Sequence, residues 1–200
     1  MLQPKKKSFN QIKIHSQYSI CEGALKIENL KEYCKKNKIQ SVGLSDTYNL
    51  SGALEFSENI SSVGTQPIIG SQIQFKFKNT YGLIPLIAKN NVGYKNIIEL
   101  SSKAYLEIAD TDDPHCLIDD LIKYSDGIIV LSGAVNNLIG NIFNKGLIDE
   151  IDELIKLLNN NFKENFYIEI QRHGDPNEAA FEKFNLLKSS ELEIPIIATN

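Results

Sequence analysis

The 200 residues, 42% hydrophobic and 23% charged, suffice for one globular domain with a real core. A formal net charge of −4 excludes whole-surface attraction to nucleic acid, so any DNA contact falls to a local patch or a partner. Cys21, Cys34 and Cys116 are too widely spaced for a disulfide framework or a CxxC zinc site and point to a reducing cytoplasm, while no apolar run nears the roughly 20 residues that span a bilayer.

In chain order, residues 1–8, with Lys5-Lys6-Lys7, read as a flexible solvated tail. Phe9 to Ile14 alternates like a strand and delivers Lys13 and His15 to a loop that carries Glu22. Ile27 to Asn37 places Ile27, Leu30, Tyr33 and Cys34 at helical spacing. Val42 to Leu44 reads as a short buried strand, Ser51 to Ser62 as a helix, and Pro67 to Phe77 and Leu83 to Ala88 as strands. A helix over Val92 to Leu106 and a strand over Gly127 to Leu131 follow. Then come an amphipathic helix over Leu147 to Leu158, a strand over Phe166 to Ile170, a helix over Asn177 to Lys188 and a last strand over Ile194 to Ala198. Such alternation predicts a parallel sheet covered by helices, as a barrel or an open doubly wound fold. No GxGxxG or GxxxxGK[ST] stands at a strand-to-helix turn, which favours the barrel. The last strand stops two residues before the sequence does, an unusual place for a domain to finish.

In a β/α barrel the functional residues collect at the C-terminal ends of the strands. These ends carry His15 with Glu22 beyond it, Asp46 in GLSDTYNL, Gln72 in IIGSQIQF, and Arg172 and His173 in YIEIQRHG. His15, Glu22, Asp46 and His173 could converge on one Zn, Mn or Mg ion, since imidazole and carboxylate suit all three. Taken singly each has a plainer role: His15 a hydrogen-bonding loop residue, Asp46 a cap for the helix after Ser51, Glu22 and His173 turn residues. His115, in the acidic loop ADTDDPH, is given no chemical role.

The segments FNQIKIHSQYSICEGAL, VGLSDTYNLSGALEF, QPIIGSQIQF, LIAKNNVGYKNIIELSSKAY, GIIVLSG, FYIEIQRHGDPNE and IPIIATN resemble something known. In order and spacing they are similar to the N-terminal polymerase and histidinol phosphatase (PHP) domain of bacterial DNA polymerase III alpha subunits, across residues 9–200. The resemblance implies an α/β fold: a distorted, TIM-like barrel of seven strands, incomplete here at its C-terminus. In metal-binding relatives the strand ends hold a trinuclear metal site that hydrolyses phosphoesters, in some replicases as a 3′ to 5′ proofreading exonuclease.

This chain departs from that pattern at the ligand positions. The HxH pair reads Lys13-x-His15, the TDHGNL-type loop reads SDTYNL with Thr47 for histidine, the GCE-type acid is Gln72, and Leu83 stands where a histidine is usual. These imply a degenerate site in which His15, Glu22, Asp46 and His173 are vestigial ligands and Lys13 neutralises Asp46 and Glu22. No cofactor is then expected, although residual Zn, Mn or Mg remains compatible, and the 200-residue chain alone is expected to be inert. The implied setting is a cytoplasmic DNA-directed DNA polymerase, a nucleotidyltransferase of DNA replication. Its implied partners are the rest of the polymerase chain, a proofreading exonuclease subunit and other replicase holoenzyme subunits, with DNA reached only through the full polymerase and no membrane. The alternative is an active metal-dependent phosphoesterase or 3′–5′ exonuclease. A free-standing biosynthetic phosphatase is disfavoured by the polymerase-branch strings AKNNVGYKN and IEIQRHG.

Overall fold

The computed structural model describes residues 9–109 and 112–199. The tail expected over residues 1–8 lies outside the described residues. Phe9 to Ser16 runs beside β1 (Ser41–Thr47) without forming the regular strand that its alternation predicts. Gly43 N donates to Gln11 O at 2.7 Å, Ile14 N donates to Gly43 O at 3.0 Å, and Ser45 N donates to Ile14 O at 2.8 Å. Ile12 and Lys13 thus both lie between the two residues that bond Gly43, where a regular parallel ladder leaves one, and the segment is bulged. A Cβ on Gly43 would stand 2.2 Å from Ile12 O, so only glycine lets the bulge approach this closely.

The sheet is mixed, not all parallel as the alternation predicts. β1 pairs in parallel with β2 (Gln66–Phe77), which turns at Lys78 and Asn79 into the antiparallel β3 (Thr80–Ala88). The two-residue turn needs a positive φ, and Lys78 supplies it at 51°. β4 (Cys116–Leu117) adds to the far end of β2, and β3 runs antiparallel to β5 (Ile128–Leu131). β6 (Phe166–Ile170) and β7 (Ile196–Ala198) then follow in parallel. The spatial order β1-β2-β3-β5-β6-β7 gives a curled half-barrel.

Two apolar clusters hold helices to this sheet. The smaller joins β1 to α1 (Ile27–Asn37) and α2 (Ala53–Ser61) through Ile27, Leu30, Leu44, Phe56 and Ile60. The larger packs α3 (Asn91–Leu106), α4 (Ile118–Lys123), α5 (Leu138–Asn144), α6 (Ile148–Phe162) and α7 (Glu178–Leu192) against the rest of the sheet. α6 buries Ile151, Leu154, Ile155, Leu158 and Phe162, the i, i+3, i+4, i+7 stripe of an amphipathic helix. Among the described residues no helix is long and apolar enough to cross a membrane.

Candidate functional site at the mouth of the half-barrel

The bulged segment, β1, β2 and β6 bring their polar residues to one side of the curled sheet, where Lys13, His15, Glu22, Gln72, Asn137 and His173 line a cleft of about 760 Å³. Leu83 lines it as well. Of the vestigial ligands expected from sequence, His15, Glu22 and His173 therefore share one cleft, and Asp46 lies buried beneath it.

Lys13 does not pair with Asp46 or Glu22 as expected. Its Nζ lies 3.1 Å from Oε1 of Glu169, with side-chain exposures of 5% and 0%. The bulge places Lys13 there, and β6 supplies Glu169 between the inward apolar side chains of Phe166 and Ile168 and the strand end. Glu169 Oε1 also accepts from Gln171 Nε2 at 2.8 Å and from Thr199 Oγ1, and its backbone N donates to Ser132 Oγ at 2.9 Å. Removing one partner from a buried pair of this kind costs about 3–5 kcal/mol, because the other charge is left uncompensated in low dielectric.

Asp46 caps no helix: α2 starts after Gly52, with no side-chain cap. Instead its carboxylate accepts from Ser16 N at 2.6 Å, Ser16 Oγ at 2.8 Å and Ser19 Oγ at 2.7 Å, and Ser19 Oγ accepts from Thr47 N at 3.1 Å. Asp46 therefore organises the loop after the bulge, and both of its oxygens are occupied by hydrogen bonds. Ser16 and Ser19 were legible only as loop residues, since nothing local in HSQYS names their distant partner.

Thr47 and Gln72, expected from the sequence to stand at lost ligand positions, bond to each other. Gln72 faces Thr47 across the β1–β2 ladder, and its Nε2 donates to Thr47 Oγ1 at 3.1 Å and lies 3.4 Å from His15 Nε2. Thr47 Oγ1 in turn donates to Glu22 Oε2 at 2.5 Å. A chain His15–Gln72–Thr47–Glu22 thus spans the cleft floor. Burial, and then the Lys13 ammonium, push the His15 pKa below its ordinary value, against the opposing pull of Glu22 and Asp46. On the far wall His173 is exposed; its N donates to Glu178 Oε1 at 2.7 Å, and Gly174 N donates to Glu178 Oε2 at 2.8 Å. These main-chain donors, led by His173, hold the Glu178 carboxyl below its usual range.

Among the described residues no three His, Cys, Asp or Glu side chains come together as a metal-holding group. Gln72 offers a donor N–H to the His15–Thr47 chain, Asp46 accepts three hydrogen bonds from Ser16 and Ser19, and a buried ammonium stands among the remaining groups.

Residues 11–173 match the family model described as PHP domain. The chain is 33% identical to the DNA polymerase III subunit alpha of Caulobacter vibrioides, and 34% identical to that of Borreliella burgdorferi, over 96% of its own length in both cases. It spans 18% of the length of each of these relatives. In fold it is similar to a Bifidobacterium adolescentis protein described as a metal-dependent phosphoesterase (TM-score 0.62, 12% identity, 95% of this chain and 86% of that one). It is also similar to an amidohydrolase of Chromobacterium violaceum (TM-score 0.59, 12% identity, 96% of this chain and 87% of that one). At that identity the structural likeness speaks for the fold alone. With the family match running from the bulged segment to the cleft's far wall, the chain belongs to the PHP-domain family and is homologous to the N-terminal region of DNA polymerase III alpha subunits.

Proposed function

We propose that this chain is the PHP portion of a cytoplasmic replicative DNA polymerase III alpha subunit, with a degenerate metal site. The half-barrel then works as a scaffold, supporting the rest of the polymerase chain and docking a proofreading exonuclease subunit and other replicase subunits. DNA is met through the full nucleotidyltransferase. The observation that carries this reading is the buried Lys13–Glu169 pair. A fixed ammonium a few ångströms from a divalent ion in a partly buried cleft repels it by several kcal/mol, and Thr47 and Gln72, which stand at the lost ligand positions, are already bound to one another.

Metal content and phosphoesterase activity of the full-length polymerase chain test the site, and a binding titration with the separate exonuclease subunit tests the scaffold. The reading expects no stoichiometric metal and no chelator-sensitive hydrolysis from the PHP portion, together with measurable docking. Two or three tightly held ions, with hydrolysis that chelators abolish, would overturn it. That result would favour the active phosphoesterase or 3′–5′ exonuclease, whose one supporting observation is that His15, Glu22 and His173 still line a common cleft. Absence of any docking by the full-length chain would remove the scaffold role.

A further inference from the structure

Glu169 is positioned by neighbours other than Lys13. Ser132 Oγ fixes its main-chain N–H, while Gln171 Nε2 and Thr199 Oγ1 fix Oε1. The carboxylate is therefore set in place by the residues around β5, β6 and β7, and Lys13 Nζ reaches Oε1 as a third donor. Oε2 is buried and makes no hydrogen bond among the described residues. A carboxylate with three donors on one oxygen and none on the other keeps spare acceptor capacity, and at 0% side-chain exposure its charge requires a cation close by.

We propose that Glu169, positioned by Gln171 and Thr199, is a socket for a primary ammonium group, and that Lys13 fills it as a tethered ligand. This deepens the proposed function, resting on the same ion pair. Divalent metals suit the socket poorly. Magnesium takes a near-octahedral set of oxygens and zinc four nitrogen, sulfur or oxygen ligands. Gln171 and Thr199 turn donor hydrogens toward the carboxylate, and no group of three His, Cys, Asp or Glu forms there among the described residues. An ammonium is a compact point charge that imposes no fixed coordination geometry, so one buried carboxylate is enough to hold it. Lys13 also lines the wide cleft, so shortening its side chain exposes the socket to small solutes.

The test uses Lys13→Ala in the full-length chain, melted in propylammonium chloride, which restores the atoms from Cγ to Nζ, and in sodium chloride, magnesium chloride or zinc chloride. The melting temperature of the PHP transition is expected to fall by on the order of 10 °C in the variant. Propylammonium should raise it again and saturate, sodium should not, the unaltered protein should be indifferent, and Lys13→Ala/Glu169→Gln should not respond. Equal recovery in sodium chloride, a larger recovery with magnesium or zinc, or a response that survives Glu169→Gln would overturn the proposal. If Lys13→Ala does not accumulate folded, its refolding yield with and without propylammonium is read instead, and equal yields overturn it. Metal found in the unaltered protein would remove the proposed function, whereas the amine response of the variant judges the socket by itself.

Discussion

Asp46 accepts three hydrogen bonds from Ser16 and Ser19 while only 1% exposed, so the loop after the bulge depends on one carboxylate. Asp46→Ala strands these donors in a buried place, and hydrogen bonds to a charged acceptor contribute about 1.5–3 kcal/mol each. Allowing for relaxation of the loop, a loss of roughly 3 kcal/mol is expected, read as a lower urea midpoint with an unchanged slope. His15 gives a pH signature. Its folded-state pKa lies below the ordinary 6.5, so on acidification the unfolded chain takes the proton first, and stability drops as pH falls from 6.5 toward the folded value. The difference in unfolding free energy between the parent and His15→Gln should therefore shift against the parent between about pH 7.5 and about pH 5; a pH-independent difference would refute the assignment. At this scale the sequence showed Lys13 as the informative residue but not its partner. The signal was present: Lys13 stands in IKI and Glu169 in IEI, one lone cation and one lone anion, each flanked by isoleucines within a strand-like run. Matching them needs the sheet order, because 156 residues separate the pair.

Elements with a strong period were legible to within a few residues. The predicted helices over Ile27 to Asn37, Val92 to Leu106 and Leu147 to Leu158 correspond to α1, α3 and α6, whose apolar stripes fix them locally. α4 and α5 were not: at 6 and 7 residues they are too short to show a period, and α5 is buried on nearly every side. Strand direction was also hidden, since alternation states which face is buried and says nothing of parallel or antiparallel pairing. The Lys78-Asn79 turn between two apolar runs was the available cue to the β2–β3 hairpin. Where α3 meets the turn before β5, two glycines touch: a Cβ on Gly93 would lie 1.8 Å from Gly127 O, and Gly127 itself has φ +70°. Alanine gains about 0.8–1.0 kcal/mol over glycine within a helix, yet here the obstacle is a backbone carbonyl that also accepts from Lys89 N at 2.9 Å. Overpacking of about 1–3 kcal/mol or more therefore outweighs the propensity gain. Gly93→Ala should lower the melting temperature, while an alanine at exposed Lys95 of the same helix should leave it nearly unchanged.

At the scale of the molecule, the Lys13–Glu169 pair ties the two ends of the curled sheet together. Lys13 belongs to the segment outside β1, Glu169 to β6, and Thr199, also bonded to Glu169, follows β7. If the pair serves shape rather than chemistry, its charge should be replaceable while its volume is not. Buried ion pairs exchanged for apolar groups of similar size are often neutral or stabilising, whereas loss of one member costs about 3–5 kcal/mol. Lys13→Met and Glu169→Leu should each be strongly destabilising, since each leaves a buried charge alone. Glu169→Leu also takes the acceptor from Thr199 and Gln171; Gln171 is part-exposed and can turn to water, but Thr199 is only 7% exposed. Recovery in the double variant should therefore be incomplete, with the double still more stable than Glu169→Leu alone by well over 1 kcal/mol, a non-additivity beyond the roughly 0.3–0.5 kcal/mol seen at independent sites. Urea unfolding of the four full-length proteins measures this cycle. Additive single effects would mean that the two charges do not act on each other, and the ends of the half-barrel would then be held by the apolar core alone.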